Sequence, residues 1–170
     1  MPHAKRGYYF KAQHRLKNFD YSSSTSYFLT FNTRGGQKIL STIRKAEDSF
    51  AAELTLTPIG EIVDKHIRRI EECYAATLDA YVIMPNHVHL LITVHVAPAA
   101  DAQVNSAVAR IVRSTKTMIT KELGQKIWQD DYYDVIADSD RLYDRCWDYI
   151  RDNPGVWLQS GAEPVTILSL

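Results

Sequence analysis

His87 and His89 stand two residues apart in MPNHVHLLITV, residues 84–94. Imidazole titrates nearest to neutral pH of all side chains, and its neutral form is a common metal ligand. Successive side chains of a strand point to opposite faces. His87 and His89 therefore point one way, and Val88 and Leu90 the other. Two imidazoles so placed can share one metal ion or grip one phosphate. Taken alone, a His-x-His pattern is short enough to arise by chance and reads as the outer face of an amphipathic strand. The alternation puts Val88, Leu90 and Ile92 under the helices. His87, His89 and Leu91 are then expected on the opposite face, away from them.

The histidine strand needs neighbours to hold it. Leu78–Met84 reads as a strand, Pro85-Asn86 breaks it, and His87–Val96 is the next. So short a link cannot make a parallel crossover, so the two form an antiparallel hairpin. Tyr27–Thr33 (YFLTFNT) is aromatic and β-branched and ends in the turn Arg34-Gly35-Gly36. Gln37–Phe50 reads equally as a strand or a short helix. Thr57-Pro58 opens a helix with Ile59, Ile62, Val63, His66, Ile67 and Ile70 at helical spacing. Ala97-Pro98-Ala99-Ala100 is a loop. Val104–Leu123 is a long amphipathic helix closed by Gly124. Ile127–Ile136 holds a short strand, and Asp140–Asp152 is a final helix stopped by Asn153-Pro154. These elements predict an α+β fold, a mainly antiparallel sheet with helices over one face.

A chain of 170 residues is one domain by length, and its 45% apolar share suits a soluble globular protein. No apolar run approaches the ~20 residues of a membrane span. The N-terminal stretch has no apolar core or cleavage site of a signal peptide. Cys73 and Cys146 are far apart and form no CxxC, which suggests reduced thiols in a cytoplasmic protein. A net charge of zero argues against a bulk basic nucleic-acid binder. The charges are nevertheless segregated. Lys5, Arg6, Lys11, Arg15 and Lys17 crowd the first 17 residues with no acid among them. Arg110, Arg113, Lys116, Lys121 and Lys126 face only Glu122 in residues 110–126. Residues 130–152 are acidic, with eight aspartates against three arginines.

The stretch AYVIMPNHVHLLI, residues 80–92, closely resembles the signature of the Y1 transposases of the IS200/IS605 type, and in particular the REP-associated tyrosine transposases. IWQDDYYDVIADSDRLYDRCWDYIRDNP, residues 127–154, resembles the family's Trp-Gln segment and the helix that follows it. The matched blocks run from about Tyr27 to Pro154. These enzymes belong to the HUH endonucleases, in which two histidines flank an apolar residue and a tyrosine elsewhere is the nucleophile. The resemblance implies a ferredoxin-like or RRM-like HUH sandwich over residues 27–158, with a basic extension at 1–26 and a tail at 159–170. It implies that His87 and His89 bind a divalent metal, Mg²⁺ or Mn²⁺, that Asn153 is the third ligand, and that Tyr149 is the nucleophile. Ligand type alone, two neutral imidazoles, would lean toward zinc.

Spacing agrees with those roles. Tyr149 and Asn153 are four residues apart, so one helical face presents both. Pro154 disfavours helical geometry at the residue before it, which would put Asn153 at a helix end. Phenol, with a pKa of ~10, is a poor nucleophile at neutral pH, and a metal on the phosphate would compensate. Tyr132, Tyr133 and Tyr143 are rival tyrosines, but Ile136, Ala137 and Trp147 stand four residues beyond them. His95 reads as strand surface and His66 as a packing residue, while Trp128, Trp147 and Trp157 are expected to pack. Neither cysteine has a base nearby in sequence.

Arg110, Arg113, Lys116 and Lys121 share one broad helical face that can track a DNA backbone. The resemblance implies single-stranded or hairpin DNA as the partner and leaves monomer and homodimer both open. The function expected is metal-dependent cleavage and rejoining of single-stranded DNA through a 5′-phosphotyrosine. The competing reading is a non-catalytic or domesticated protein that binds single-stranded or hairpin DNA on an aromatic sheet without cutting it. A zinc hydrolase unrelated to nucleic acid lacks a visible third ligand and base.

Overall fold

The computed structural model describes residues 8–10, 24–47, 51–95 and 101–160. The basic residues Lys5, Arg6, Lys11, Arg15 and Lys17, the loop 97–100 and the tail from 161 lie outside the described residues.

The sheet is built from β1 (Tyr8–Phe10), β2 (Ser24–Asn32), β5 (Ala76–Ile83), β6 (His87–His95) and β7 (Tyr133–Ile136), in the order β1-β5-β6-β2-β7. Every pairing in it is antiparallel. β5 and β6 form the expected hairpin, and β6 lies between β5 and β2. Between β2 and β5 the chain makes a separate hairpin, β3 (Ser41–Lys45) with β4 (Ala52–Leu56), then helices α1 (Pro58–Arg68) and α2 (Ile70–Cys73). The ambiguous segment 37–50 thus contains a strand, and its partner β4 is an element that the sequence reading does not anticipate. The long helix α3 is Asp101–Leu123, and Gly124 ends it at φ 68°, where glycine carries no steric cost.

Helix α1 begins where its sequence says it should. Thr57 caps it by accepting the Gly60 N–H at 3.0 Å, with Pro58 following at the first turn. A Cβ at Gly60 would lie 1.9 Å from the Leu40 carbonyl oxygen, so the helix approaches the chain at Leu40 more closely than any other residue permits.

Two apolar clusters sandwich the sheet. On one face Val88, Leu90, Ile92 and Val94 pack with Val63 and Ile67 of α1 and Val108, Ile111, Val112 and Ile119 of α3. On the other face Leu91, Val82, Phe28 and Met84 pack with Tyr143, Cys146 and Ile150 of the final helix, α4 (Asp140–Ser160), and with Ile43 and Leu54 of the β3–β4 hairpin. Helices therefore cover both faces of the sheet. This corrects the expectation that the histidine face lies away from them.

A second correction concerns α4. It does not stop before Pro154 but runs through it to Ser160. Proline has no N–H, so the Ile150 carbonyl loses its usual intrahelical donor at residue 154, an arrangement that costs about 3 kcal/mol in a free helix interior. Tertiary packing carries the helix through that position despite the cost. Pro154 is buried, and Trp157, one turn further, is half-buried against other parts of the fold. Asn153 accordingly sits inside the helix, 7% exposed, rather than at a frayed end.

Candidate active site

Alternation along β6 aims His87 and His89 at the face that α4 covers. Both are buried, at 1% and 3% exposure. Their ring centroids are 4.6 Å apart. Tyr149 of α4 meets them there, its ring 5.2 Å from that of His89. Asn153, one turn on, hydrogen-bonds the Tyr149 hydroxyl. Phe28 of β2 forms a shared wall, 5.1 Å from the His89 ring and 5.7 Å from the Tyr149 ring. Trp157 reaches the His87 ring at 6.0 Å, and the Lys38 ammonium lies over Trp157 at 5.5 Å. The fold thus brings the pair His87 and His89 together with the pair Tyr149 and Asn153, sixty or more residues away in sequence.

The ring nitrogens of each histidine differ. His87 Nδ1 is 2.7 Å from Asn86 Oδ1, and His89 Nδ1 is 2.8 Å from Thr30 Oγ1. His87 Nε2 and His89 Nε2 are buried with no hydrogen-bond partner. Burial holds His87 down to about 4 and His89 well below the usual imidazole value, and the His87 charge adds to the effect at His89. Both rings are neutral at physiological pH. Two neutral imidazoles with unsatisfied Nε2 atoms are a suitable pair of metal donors. Among the described residues, no group of three or more His, Cys, Asp or Glu could hold a metal ion. A third protein donor beside the two imidazoles would be of another type, such as the Asn153 amide oxygen. Burial raises the Tyr149 phenol above its ordinary value, with the Asn153 hydrogen bond acting against it. The phenol is protonated at neutral pH.

Comparison with known proteins places the chain in a family. The sequence model of the family described as "Transposase IS200 like" matches residues 51–153, more than half of the chain. The chain belongs to the IS200-like transposases. An uncharacterized protein of Haemophilus influenzae is 24% identical over 165 residues, covering 85% of this chain and 88% of that one. Among solved structures, a REP-associated tyrosine transposase bound to a REP hairpin is similar at a TM-score of 0.56 and 19% identity, over 89% of this chain and 75% of that one. That likeness supports the fold. Among the described residues, no helix of the transposase is long and apolar enough to cross a membrane.

The basic residues of α3 lie on the opposite face of the sheet from Tyr149, because α3 packs on Val88, Leu90 and Ile92. Arg110, Arg113 and Lys121 are exposed. Arg110 lies over the Tyr74 ring at 6.0 Å. Lys116 is half-buried and donates to the carbonyls of Gln129 at 2.9 Å, Asp130 at 3.3 Å and Asp131 at 2.7 Å. Desolvation lowers its pKa, against the pull of Asp131 and Asp130. Lys116 in this arrangement ties the chain after α3 to the helix, beside a cavity of about 410 Å³ that Arg113, Lys126 and Tyr132 also line.

The remaining candidates fall where the sequence reading expects. His66 Nε2 meets Glu122 at 2.8 Å, and His95 Nε2 meets Thr77 at 2.6 Å. Tyr143 is buried in the core under α4, Tyr133 is exposed on β7, and Tyr132 packs toward the α1–α3 core. Trp128 is buried, and Trp147 and Trp157 pack against the α4 core. Thr30, Asn86, Phe28 and Trp157 at the site are not identified by sequence reasoning. Asn86 adjoins His87, and Trp157 continues the Tyr149, Asn153 spacing by one more turn. Finding Thr30 and Phe28 requires the register of β2 against β6, which pairs Thr30 with His89 and Phe28 with Leu91.

Proposed function

We propose that this transposase is a metal-dependent single-stranded DNA endonuclease and strand transferase that works through a 5′-phosphotyrosine on Tyr149. The observation that carries the proposal is the meeting of the Tyr149 ring with His89 at 5.2 Å, beside two buried imidazoles whose Nε2 atoms have no partner. His87, His89 and Asn153 would hold a divalent ion, Mg²⁺ or Mn²⁺, since amide and phosphate oxygens are hard ligands. When bound, the ion would neutralise charge on the non-bridging phosphate oxygens and make the phosphorus more electrophilic.

The chain's own groups supply the rest. The Tyr149 oxygen attacks phosphorus and loses its proton as the new bond forms. The bond from phosphorus to the 3′-oxygen breaks, and that oxygen takes up a proton to become a free 3′-OH. The 5′-phosphate stays on Tyr149. Phenolate is a tolerable leaving group, so attack by a 3′-OH reverses the step and joins strands without outside energy. Asn153 orients the phenol, and Phe28 and Trp157 wall the site. Single-stranded DNA, with a hairpin nearby, is the substrate class; the similar solved REP-associated tyrosine transposase is bound to a REP hairpin. The exposed Arg110, Arg113 and Lys121 suit a DNA backbone. DNA that touches both α3 and Tyr149 has to pass around an edge of the sheet, because the two lie on opposite faces.

The test uses labelled single-stranded hairpin DNA, Mn²⁺ and a denaturing gel. The parent protein forms a covalent adduct, and Tyr149→Phe forms none. His87→Ala loses cleavage and largely keeps DNA binding. Tight binding without an adduct across several hairpin substrates would overturn the proposal in favour of a DNA-binding protein that does not cut.

A further inference from the structure

We infer that Thr30 and Asn86 are positioning residues that keep the proton of each imidazole on Nδ1, so that His89 and His87 both present an Nε2 lone pair to the site. The inference deepens the metal reading above and rests on it only for its consequence in ion binding.

The two hydrogen bonds come from different parts of the fold. Asn86 Oδ1 is an acceptor only, so the 2.7 Å contact requires a proton on His87 Nδ1. A neutral imidazole carries one proton, and His87 Nε2 is then an unprotonated acceptor. Asn86 is the residue between the β5–β6 turn and the strand, so its side chain is fixed by the hairpin itself. His89 is served by β2. Thr30 is its direct cross-strand partner, and directly opposed residues of an antiparallel pair project from the same face. The Thr30 hydroxyl stands 2.8 Å from His89 Nδ1. A hydroxyl can donate or accept, so this bond alone allows either tautomer. Burial chooses between them. With the proton on Nε2, His89 would bury an N–H donor that has no partner. With the proton on Nδ1, the donor is satisfied by Thr30 and only a lone pair is left without a partner. An unmade buried donor is the costlier state, and a lone pair can be used by an arriving cation.

Long-range ¹H–¹⁵N spectra of the histidine rings in the metal-free protein read the tautomer directly. Mn²⁺ titration reads the consequence. The parent protein shows Nδ1–H at both histidines. Thr30→Val keeps the shape of the side chain but removes the acceptor; it moves proton density at His89 to Nε2 and weakens Mn²⁺ binding by about ten- to a hundredfold. Thr30→Ser restores both readings. Asn86→Ala does the same to His87, and Asn86→Asp, which keeps an acceptor, retains the Nδ1 proton. A role confined to packing predicts no change of tautomer in Thr30→Val and no rescue by serine, and that result would overturn the inference. So would an Nε2 proton on either ring of the parent. A parent protein with the expected tautomers that binds no Mn²⁺ supports the positioning role and removes the metal reading instead.

Discussion

Phe28 and Phe31 lie three residues apart on β2 and project to opposite faces of the sheet. Phe28 packs between His89 and Tyr149, while Phe31 packs against Trp128 at 6.1 Å in the α1–α3 core. Both are buried, at 3% and 0% exposure. Replacing each by leucine applies nearly the same perturbation on either side of the sheet. Phe28→Leu removes two ring contacts, and Phe31→Leu removes one together with the Lys116 ammonium that lies 5.6 Å over its ring; each is worth about 0.5–1.5 kcal/mol, with a further cost of about 1 kcal/mol for the poorer fit. Losses of about 2–4 kcal/mol in each case translate to about 4–16 °C in Tm at this chain length. The two variants should therefore be alike in stability. They should differ in chemistry. Phe28 touches both the Tyr149 and the His89 rings, and a displacement of about 1 Å at a reacting group costs about a hundredfold. Adduct formation, measured per folded molecule below both melting transitions, should fall by about ten- to a hundredfold in Phe28→Leu and by less than about twofold in Phe31→Leu. Equal adduct rates in the two variants would refute the claim that the wall at Phe28 sets the distance between Tyr149 and His89, the proposed nucleophile and ligand.

Pro154→Ala returns an N–H to the Ile150 carbonyl and should raise stability by about 1–3 kcal/mol, read as a higher Tm, because α4 already runs through this position; a lower Tm would mean that the buried proline ring contributes more by packing than it costs the helix. Burial pushes the Cys146 thiol up to about 11, whereas Cys73 is exposed, so a thiol reagent at pH 8 should label one cysteine quickly and the second only on unfolding; equal labelling of both in the native protein contradicts the core under α4. Lys38 is exposed over Trp157 at the rim of the site, so Lys38→Ala should weaken DNA binding and lower the salt slope of log K by about 1, the value for one lost phosphate contact. An unchanged slope would place the DNA elsewhere.

What the sequence made legible was local. Pro85-Asn86 between two apolar runs defined the β5–β6 hairpin, Thr57-Pro58 the start of α1, and Gly124 the end of α3; each depends on backbone chemistry within a few residues. Period-two alternation also placed His87 and His89 on one face. It carries no information about what covers that face, and expecting the histidines in the open applies a local rule to a tertiary question. The same limit explains α4. Proline's steric rule is local and argues for a stop at Asn153, whereas Trp157, packed against His87 and Lys38, is a nonlocal contact that outweighs it. Ala52–Leu56 does alternate, but five residues beside a helix cap are a weak signal until β3 pairs with them. Thr30 was beyond reach for a different reason: no property of threonine marks it as a partner of His89 until the β2–β6 register is fixed.

Burial of the histidine face changes what the two imidazoles imply. On an open strand surface, water would satisfy every ring nitrogen, and the pair would carry no energetic signature. Under α4 the Nδ1 atoms are satisfied by protein and the Nε2 atoms are not. A buried polar atom without a partner costs about 1–3 kcal/mol, so the fold sustains that loss twice within 4.6 Å between ring centroids. Apolar residues of similar volume at 87 and 89 would pack against Phe28, Leu91 and Trp157 without it. α4 adds a second concession on the same side of the sheet, a proline in mid-helix next to the buried Asn153. Concessions of this kind gather where a site is preorganised rather than where a core is optimised. Here they fall on His87, His89 and the turn of α4 that holds Tyr149 and Asn153, while the opposite face of β6 carries Val88, Leu90, Ile92 and Val94, and Trp128 Nε1 is the one such buried atom among the described residues of that cluster. That asymmetry between the two faces of β6 is the physical argument for the proposed chemistry under α4.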